Sequence, residues 1–255
     1  MVGIPNLGNT CYFNSALQCL LHVPQLTNFF IQFDYKGECE FTREYQKIVR
    51  DAWVNVDIKI LNPEPILHLF RLRFGQFNNK NPNDAQEALL CMLEFLEPYT
   101  KSIINGKMLQ ETICKSGKTC QNVDTTIITI PPFDILEKSL KSLVDWNTIE
   151  NYIDSYDKVW HVAASRIFFV NTPKILILSM TCKMNIKIDE NIKINDILYT
   201  LFATSIHMGN QNGGHYIAYT KHNDIWYLND DEMCIKADLP LESGHNILFY
   251  KTITD

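Results

Sequence analysis

The feature that most limits how this chain can fold is a change of hydrophobic period partway along it. Up to about residue 100 the apolar residues recur at helical spacing, and from about Met108 they come in short β-branched runs. Phe13, Ala16, Leu17, Leu20 and Leu21 share one helical face, with Asn9 or Thr10 placed to cap its start and Pro24 to end it. A second helix begins at Pro65 and carries Ile66, Leu69 and Phe70 on one side. In a third, Asn83 and Gln86 make a capping box, Ala85, Ala88, Leu89, Met92, Leu93 and Leu96 form the stripe, and Pro98 stops it. The run Thr125–Ile130, broken by Pro131-Pro132, opens the strand-like part, which resumes at Arg166–Val170, Lys174–Met180, Leu198–His207, His215–Thr220, Ile225–Leu228 and Asn246–Tyr250. The interval Asp145–His161 fits neither pattern. These patterns predict a helical lobe followed by an antiparallel sheet lobe, and a cleft between two lobes is a frequent place for chemistry.

Composition excludes several function classes. With 46% apolar residues the chain can bury a core. Its 23 Lys+Arg against 29 Asp+Glu leave a net charge of -6 and no basic run, so nucleic acid is not the expected partner. Eight cysteines in 255 residues fall well short of a disulfide-stapled scaffold, which needs roughly 8–10%, and reduced thiols in an intracellular setting, cytoplasmic or nuclear, fit better. The longest apolar run, Ile175–Leu178, has the length of a buried strand, far from the roughly 20 residues of a membrane helix. Met1–Asn6 carries no basic leader, so neither a signal peptide nor an anchor is expected.

Cys11 falls in the first turn of the first predicted helix, where unpaired N–H groups and the helix dipole stabilise a thiolate, so its pKa is expected below the roughly 8.5 of a free thiol. A cysteine nucleophile needs a base remote in sequence. His215 is the best placed, since it follows Gly213-Gly214 and starts a strand that would hold its ring, with His207 the nearest rival. The turn Asn229-Asp230-Asp231 can reach back to orient the imidazole. Taken singly, each also reads as ordinary structure: a core thiol, a satisfied histidine, a solvated turn.

The text around these residues is far more specific. Gly3-Ile4-Pro5-Asn6-Leu7-Gly8-Asn9-Thr10-Cys11-Tyr12-Phe13-Asn14-Ser15-Ala16-Leu17-Gln18-Cys19-Leu20 closely resembles the cysteine box of the ubiquitin-specific proteases. His207-Met208-Gly209, Gly213-Gly214-His215-Tyr216-Ile217-Ala218-Tyr219, Trp226-Tyr227, Asn229-Asp230-Asp231 and Ile247-Leu248-Phe249-Tyr250 resemble that family's histidine box. Asp84-Ala85-Gln86-Glu87 is similar to its acidic helix motif and Pro173–Leu178 to its central palm strand, so the resemblance spans nearly the whole chain in the family's order.

The resemblance implies an α+β, papain-like fold likened to a hand. Residues 1–100 would form a helical thumb, 101–170 reduced β fingers and 171–255 an antiparallel palm, all in one catalytic domain. It implies hydrolysis of the (iso)peptide bond after the C-terminal glycine of ubiquitin through a thioester. Cys11 would be the nucleophile and His215 the base; Asp230 would orient it, or Asn229 if one residue has been lost after Trp226. Asn6 matches the oxyanion donor. Asp84 and Glu87 match positions that contact the basic tail of ubiquitin, Gly213 and Gly214 its glycine-only passage, and Met208–Asn212 the loop covering it.

Departures from the pattern qualify this. Many members bind zinc through two CxxC pairs in the fingers, whereas here Cys114-Lys115-Ser116-Gly117 keeps one cysteine of the first pair and nothing between Tyr152 and Arg166 matches the second. Cys120 is the only other thiol nearby, so no zinc and no cofactor is expected. Pro82, Ala88 and Met180-Thr181-Cys182-Lys183 also depart from the family's usual residues. A core this compact, opening almost at Met1, suits a viral or parasite enzyme. The expected partners are ubiquitin and ubiquitinated proteins, with the chain acting as a monomer. The alternatives are a protease for another ubiquitin-like modifier and an inactive ubiquitin-binding module; against the latter, the full catalytic set is present.

Overall fold

All eleven residues of helix α1, Cys11–Leu21, are buried in the computed structural model, which describes residues 1–153, 158, 160–180, 185–210 and 213–253. Burial of a whole helix requires partners for its polar side chains. Gln18 Nε2 donates to Val2 O at 2.8 Å, Asn14 Nδ2 to Ile4 O and Pro5 O at 3.2 Å each, and Ser15 Oγ accepts from Ser205 Oγ at 3.1 Å. The first two tie the N-terminal segment to α1, and the third ties α1 to the sheet.

Around α1 pack α2 (Pro24–Gln32), α3 (Glu40–Trp53), α4 (Glu64–Arg73) and α5 (Ala85–Ile104). The expected stop at Pro24 is instead the first residue of α2, because proline's missing N–H costs nothing at a helix start. Neither α2 nor α3 is among the expected helices, although Phe41, Tyr45, Ile48 and Val49 of α3 recur at helical spacing and are buried. The clustered aromatics Phe29, Phe30 and Phe33 of the α2 region make no simple stripe. The cap of α5 is Asp84 rather than Asn83, whose side chain bonds to Asn81 O at 2.9 Å. The helix also runs through Pro98 to Ile104, where a stop was expected. Proline removes one helical bond, and the buried Thr100, Ile103 and Ile104 beyond it anchor the last turn.

The strands form two main sheets. One has the order β2-β1-β5-β4, from β1 (Gly106–Cys114), β2 (Gly117–Thr125), β4 (Asn147–Ile153) and β5 (Trp160–Asn171). The interval that fitted neither period thus contains β4. The eight-stranded sheet runs β12-β11-β10-β9-β14-β6-β3 with β8 also on β9: β3 (Ile128–Ile130), β6 (Ile175–Met180), β8 (Asn191–Ile194), β9 (Ile197–Asn210), β10 (Gly213–His222), β11 (Ile225–Asp230), β12 (Met233–Lys236) and β14 (His245–Thr252). β7 (Ile186–Lys187) and β13 (Glu242–Ser243) pair separately, and α6 (Leu136–Val144) packs against β5. All pairings in the main sheets are antiparallel except that of β3 with β6. Through that pairing β3, inside the 101–170 interval, joins the palm sheet, while the helical segment runs past residue 100 to Ile104.

The apolar run of β6 follows from its place. Ile175 and Ile177 join the core shared with the helices, and Leu176 and Leu178 join a second core beyond the sheet with Ile128, Leu136 and Tyr199. A strand covered on both faces does not alternate. Among the described residues no helix is long and apolar enough to cross a membrane. Gln211-Asn212 of the covering loop, Thr181–Lys183 and residues 154–157 and 159 of the polar interval lie outside the described residues.

Candidate active site

Cys11 opens α1, and Thr10 at the cap position makes no side-chain cap bond; its Oγ1 accepts from Leu7 N at 2.9 Å instead. The first-turn N–H groups of Cys11 and Tyr12 are therefore left for the thiol, as is the backbone of Tyr216 from β10, and all three favour the thiolate. They are outweighed. Burial is the larger effect and Asp231 adds to it, so the thiol titrates above the ordinary 9.0 rather than below a free thiol as the helix start predicted.

His215 lies third along β10, paired with Met208 of β9. Its Nε2–H donates to Asp230 Oδ1 at 2.5 Å, which fixes the tautomer and leaves Nδ1 as the atom able to take a proton. Asp230 ends β11. Strand alternation turns its neighbour Asn229 away from His215, so that Asn229 Nδ2 donates to Thr220 Oγ1 at 2.9 Å and Tyr227 O at 3.2 Å. Of the two orienting candidates, the fold brings Asp230 to the imidazole.

The Asn6 side chain is held at both ends. Its Oδ1 accepts from Gly8 N at 3.0 Å and Thr10 N at 3.1 Å, and its Nδ2 donates to Asp231 Oδ2 at 2.9 Å. Asp231 Oδ1 accepts from Asn14 Nδ2 at 2.8 Å, and Asp231 Oδ2 lies 4.0 Å from His215 Nε2. One carboxylate thus ties the Asn6 loop, the buried helix and the histidine hairpin together. Asp231 sits in left-handed backbone (φ 48°), at the two-residue turn between β11 and β12. Neither Asp231 nor Asn14 was assigned this part from sequence; the cluster of Asn14, Ser15 and Gln18 on one side of an otherwise apolar helix was the available signal.

A cleft of about 410 Å³ opens beside Cys11, lined among others by Asn9, Tyr12, Asp84, Glu87, His207, Gly213, Gly214 and Tyr216. The sequence-predicted Glu87, Gly213 and Gly214 therefore share one wall system. Asp84 is also engaged within the protein: Oδ1 accepts from Gln86 N at 2.8 Å and Glu87 N at 3.2 Å, and Oδ2 accepts from Tyr216 Oη at 3.1 Å. It joins α5 to β10 across the cleft. His207, the rival base, is buried in the wall with its ring 4.7 Å from that of Tyr216. A Cβ on Gly214 would collide with His207 Nε2, which explains glycine there in steric terms.

A thiol at a helix start on a cleft, an imidazole bonded to a carboxylate and an amide held by a second carboxylate are the parts a two-lobed cysteine hydrolase uses. The family model described as ubiquitin carboxyl-terminal hydrolase matches residues 2–250, and the chain belongs to that family. It is 25% identical over 301 residues to human (Homo sapiens) ubiquitin carboxyl-terminal hydrolase 42, covering 97% of this chain and 22% of that protein. Its identity to mouse (Mus musculus) ubiquitin carboxyl-terminal hydrolase 17-like protein C is 23%, over 99% of this chain and 55% of that one. The chain thus spans about half or less of these relatives' length. Among solved structures, the SAGA Ubp8/Sgf11/Sus1/Sgf73 DUB module bound to ubiquitin aldehyde matches with a TM-score of 0.80 at 18% identity, covering all of this chain and 70% of that one. That likeness bears on the fold: an α+β architecture with helical thumb, fingers and palm.

Proposed function

We propose that the chain is a deubiquitinating cysteine protease, hydrolysing the bond after the C-terminal glycine of ubiquitin. The observation that carries this is that, in a member of this family, Cys11 lines the cleft at a helix start while Asp231 braces Asn6 and lies beside the His215–Asp230 pair. His215 Nδ1 takes the Cys11 proton as sulfur attacks the glycine carbonyl. The oxyanion receives hydrogen bonds from the Cys11 N–H and from the Asn6 N–H not used by Asp231. As the C–N bond breaks, His215 returns its proton to the leaving amine. Water, deprotonated by the same histidine, then hydrolyses the thioester. Asp231 is a positioning residue that aims Asn6, and Glu87, exposed on the cleft rim, is the carboxylate free to pair with the basic tail. Every one of these groups comes from one chain, which supports action as a monomer, and an intracellular site follows from a ubiquitin substrate. Hydrolysis of ubiquitin–aminomethylcoumarin beside the same fluorogenic derivative of other ubiquitin-like modifiers tests the reading. Turnover of ubiquitin is expected; turnover of another modifier alone would change the substrate, and of none would remove the enzyme.

The proposal includes fingers without zinc. Register puts Cys120 opposite Glu111 and Cys114 opposite Gly117, so the two thiols project from opposite faces of the β1–β2 hairpin and cannot share an ion. Among the described residues the sheet is tied instead by buried Glu111, which accepts from Arg166 Nε at 2.8 Å and pairs with Lys118. Metal analysis of the purified protein is expected to find no bound zinc, and one tightly held equivalent would contradict this.

A further inference from the structure

A second groove, of about 460 Å³, runs along α4 on the far side of the nucleophile loop. Leu7, Glu64, Leu67, His68, Arg71, Leu72 and Asn78 line it. It shares no lining residue with the catalytic cleft, yet the two are contiguous. Leu7 faces the groove and Asn9, two residues on, faces the cleft. Tyr12, in the cleft wall, stacks on Phe77 at 5.7 Å and has Arg71 of the groove beside its hydroxyl. One thin partition therefore separates the two.

The groove is also unsatisfied. Leu7 is 44% and Leu72 74% exposed, although Leu67, which also lines the groove, is buried. Two open leucines and a buried one form an apolar seat. Arg71 adds a positive charge to the groove wall, and its side chain also interacts with Tyr12 of the cleft wall.

The reaction says what fills it. The acyl side of the substrate occupies the cleft between Glu87 and Gly213-Gly214, so the amine side must leave Cys11 where that tail does not run. Leu7 of the groove directly follows Asn6, the oxyanion donor of the proposed mechanism, so the groove adjoins the loop that meets the carbonyl from which the amine departs. We infer that the α4 groove docks the polypeptide carrying the modified lysine, seating an apolar side chain against Leu7 and Leu72. This rests on the deubiquitinase reading and adds to it a surface that selects the leaving group.

The test compares two substrates sharing the acyl part. One is ubiquitin–aminomethylcoumarin, whose leaving group is a small dye; the other is diubiquitin joined through each lysine in turn. Leu72→Asp and His68→Asp are expected to lower kcat/KM on at least one diubiquitin about fivefold or more, the effect of losing an interface side chain, with less than a twofold change on the coumarin substrate. Retained coumarin turnover also shows that each variant folds. Equal losses on both substrates, or no loss on any diubiquitin, would overturn the groove assignment while leaving the enzyme standing. Absence of coumarin turnover by the unaltered chain would overturn the deubiquitinase reading, and the groove with it.

Discussion

Replacing Cys11 with Ala is expected to reduce ubiquitin–aminomethylcoumarin turnover by about 10⁴-fold or more, as removal of a nucleophile does in other triads. Ubiquitin affinity should change little, because the cleft walls contributed by Asp84, Glu87, Gly214 and Tyr216 do not depend on the sulfur. The variant should also fold: Cys11 is 8% exposed at the cleft floor, and a thiol-to-methyl change leaves no large void. Titration adds a sharper mark. With burial raising the thiol above 9.0, the protonated form dominates the resting site at neutral pH. Alkylation of Cys11 by iodoacetamide in the free protein should therefore climb with pH through the mildly alkaline range. A rate already level below pH 7 would show a preformed thiolate and contradict the resting state described above.

Replacing Asp230 with Ala should lower kcat by about 10²–10⁴-fold, the range seen when the orienting carboxylate of a triad is lost. The 2.5 Å bond to His215 Nε2 is what holds the ring and its tautomer. Asn229→Ala makes the contrast. Its amide bonds within the β10–β11 hairpin to Thr220, so the loss should fall on thermal stability and leave kcat within a few fold. Asp231→Ala adds a third pattern, because it unties both Asn6 and Asn14, lowering kcat through the oxyanion donor and loosening the N-terminal segment together. If Asn229→Ala loses more rate than Asp230→Ala in well-folded samples, the orienting group has been misassigned.

Cys11, His215 and the two-lobed fold were legible because each lies in a long, specific motif or a sustained hydrophobic period. The choice between Asp230 and Asn229 was not, since counting residues after Trp226 allowed either; strand alternation in β11 settles which side chain faces His215. Asp84 illustrates a different limit. Asp84 does line the cleft, but the sequence did not show that its two oxygens also cap α5 and accept from Tyr216. The Cys11 pKa was misjudged because a helix start is visible in sequence and the desolvation of that position is not. Pro98 failed as a stop for the same kind of reason, since tertiary burial of Ile103 and Ile104 overrides a local preference. The α4 groove carried no motif at all; it exists only because α4 and the Leu7 loop meet in space.

The most direct test of the central claim is the intact mass of the purified chain after incubation with ubiquitin bearing a C-terminal propargyl electrophile, run beside Cys11→Ala. A one-to-one adduct in the unaltered chain that is absent from the variant is the predicted result, since alkyne capture needs both recognition of ubiquitin and a nucleophile at its C-terminus. An adduct that persists in Cys11→Ala, or none from a folded and unaltered chain, would contradict the assignment of Cys11 as the nucleophile of a deubiquitinase.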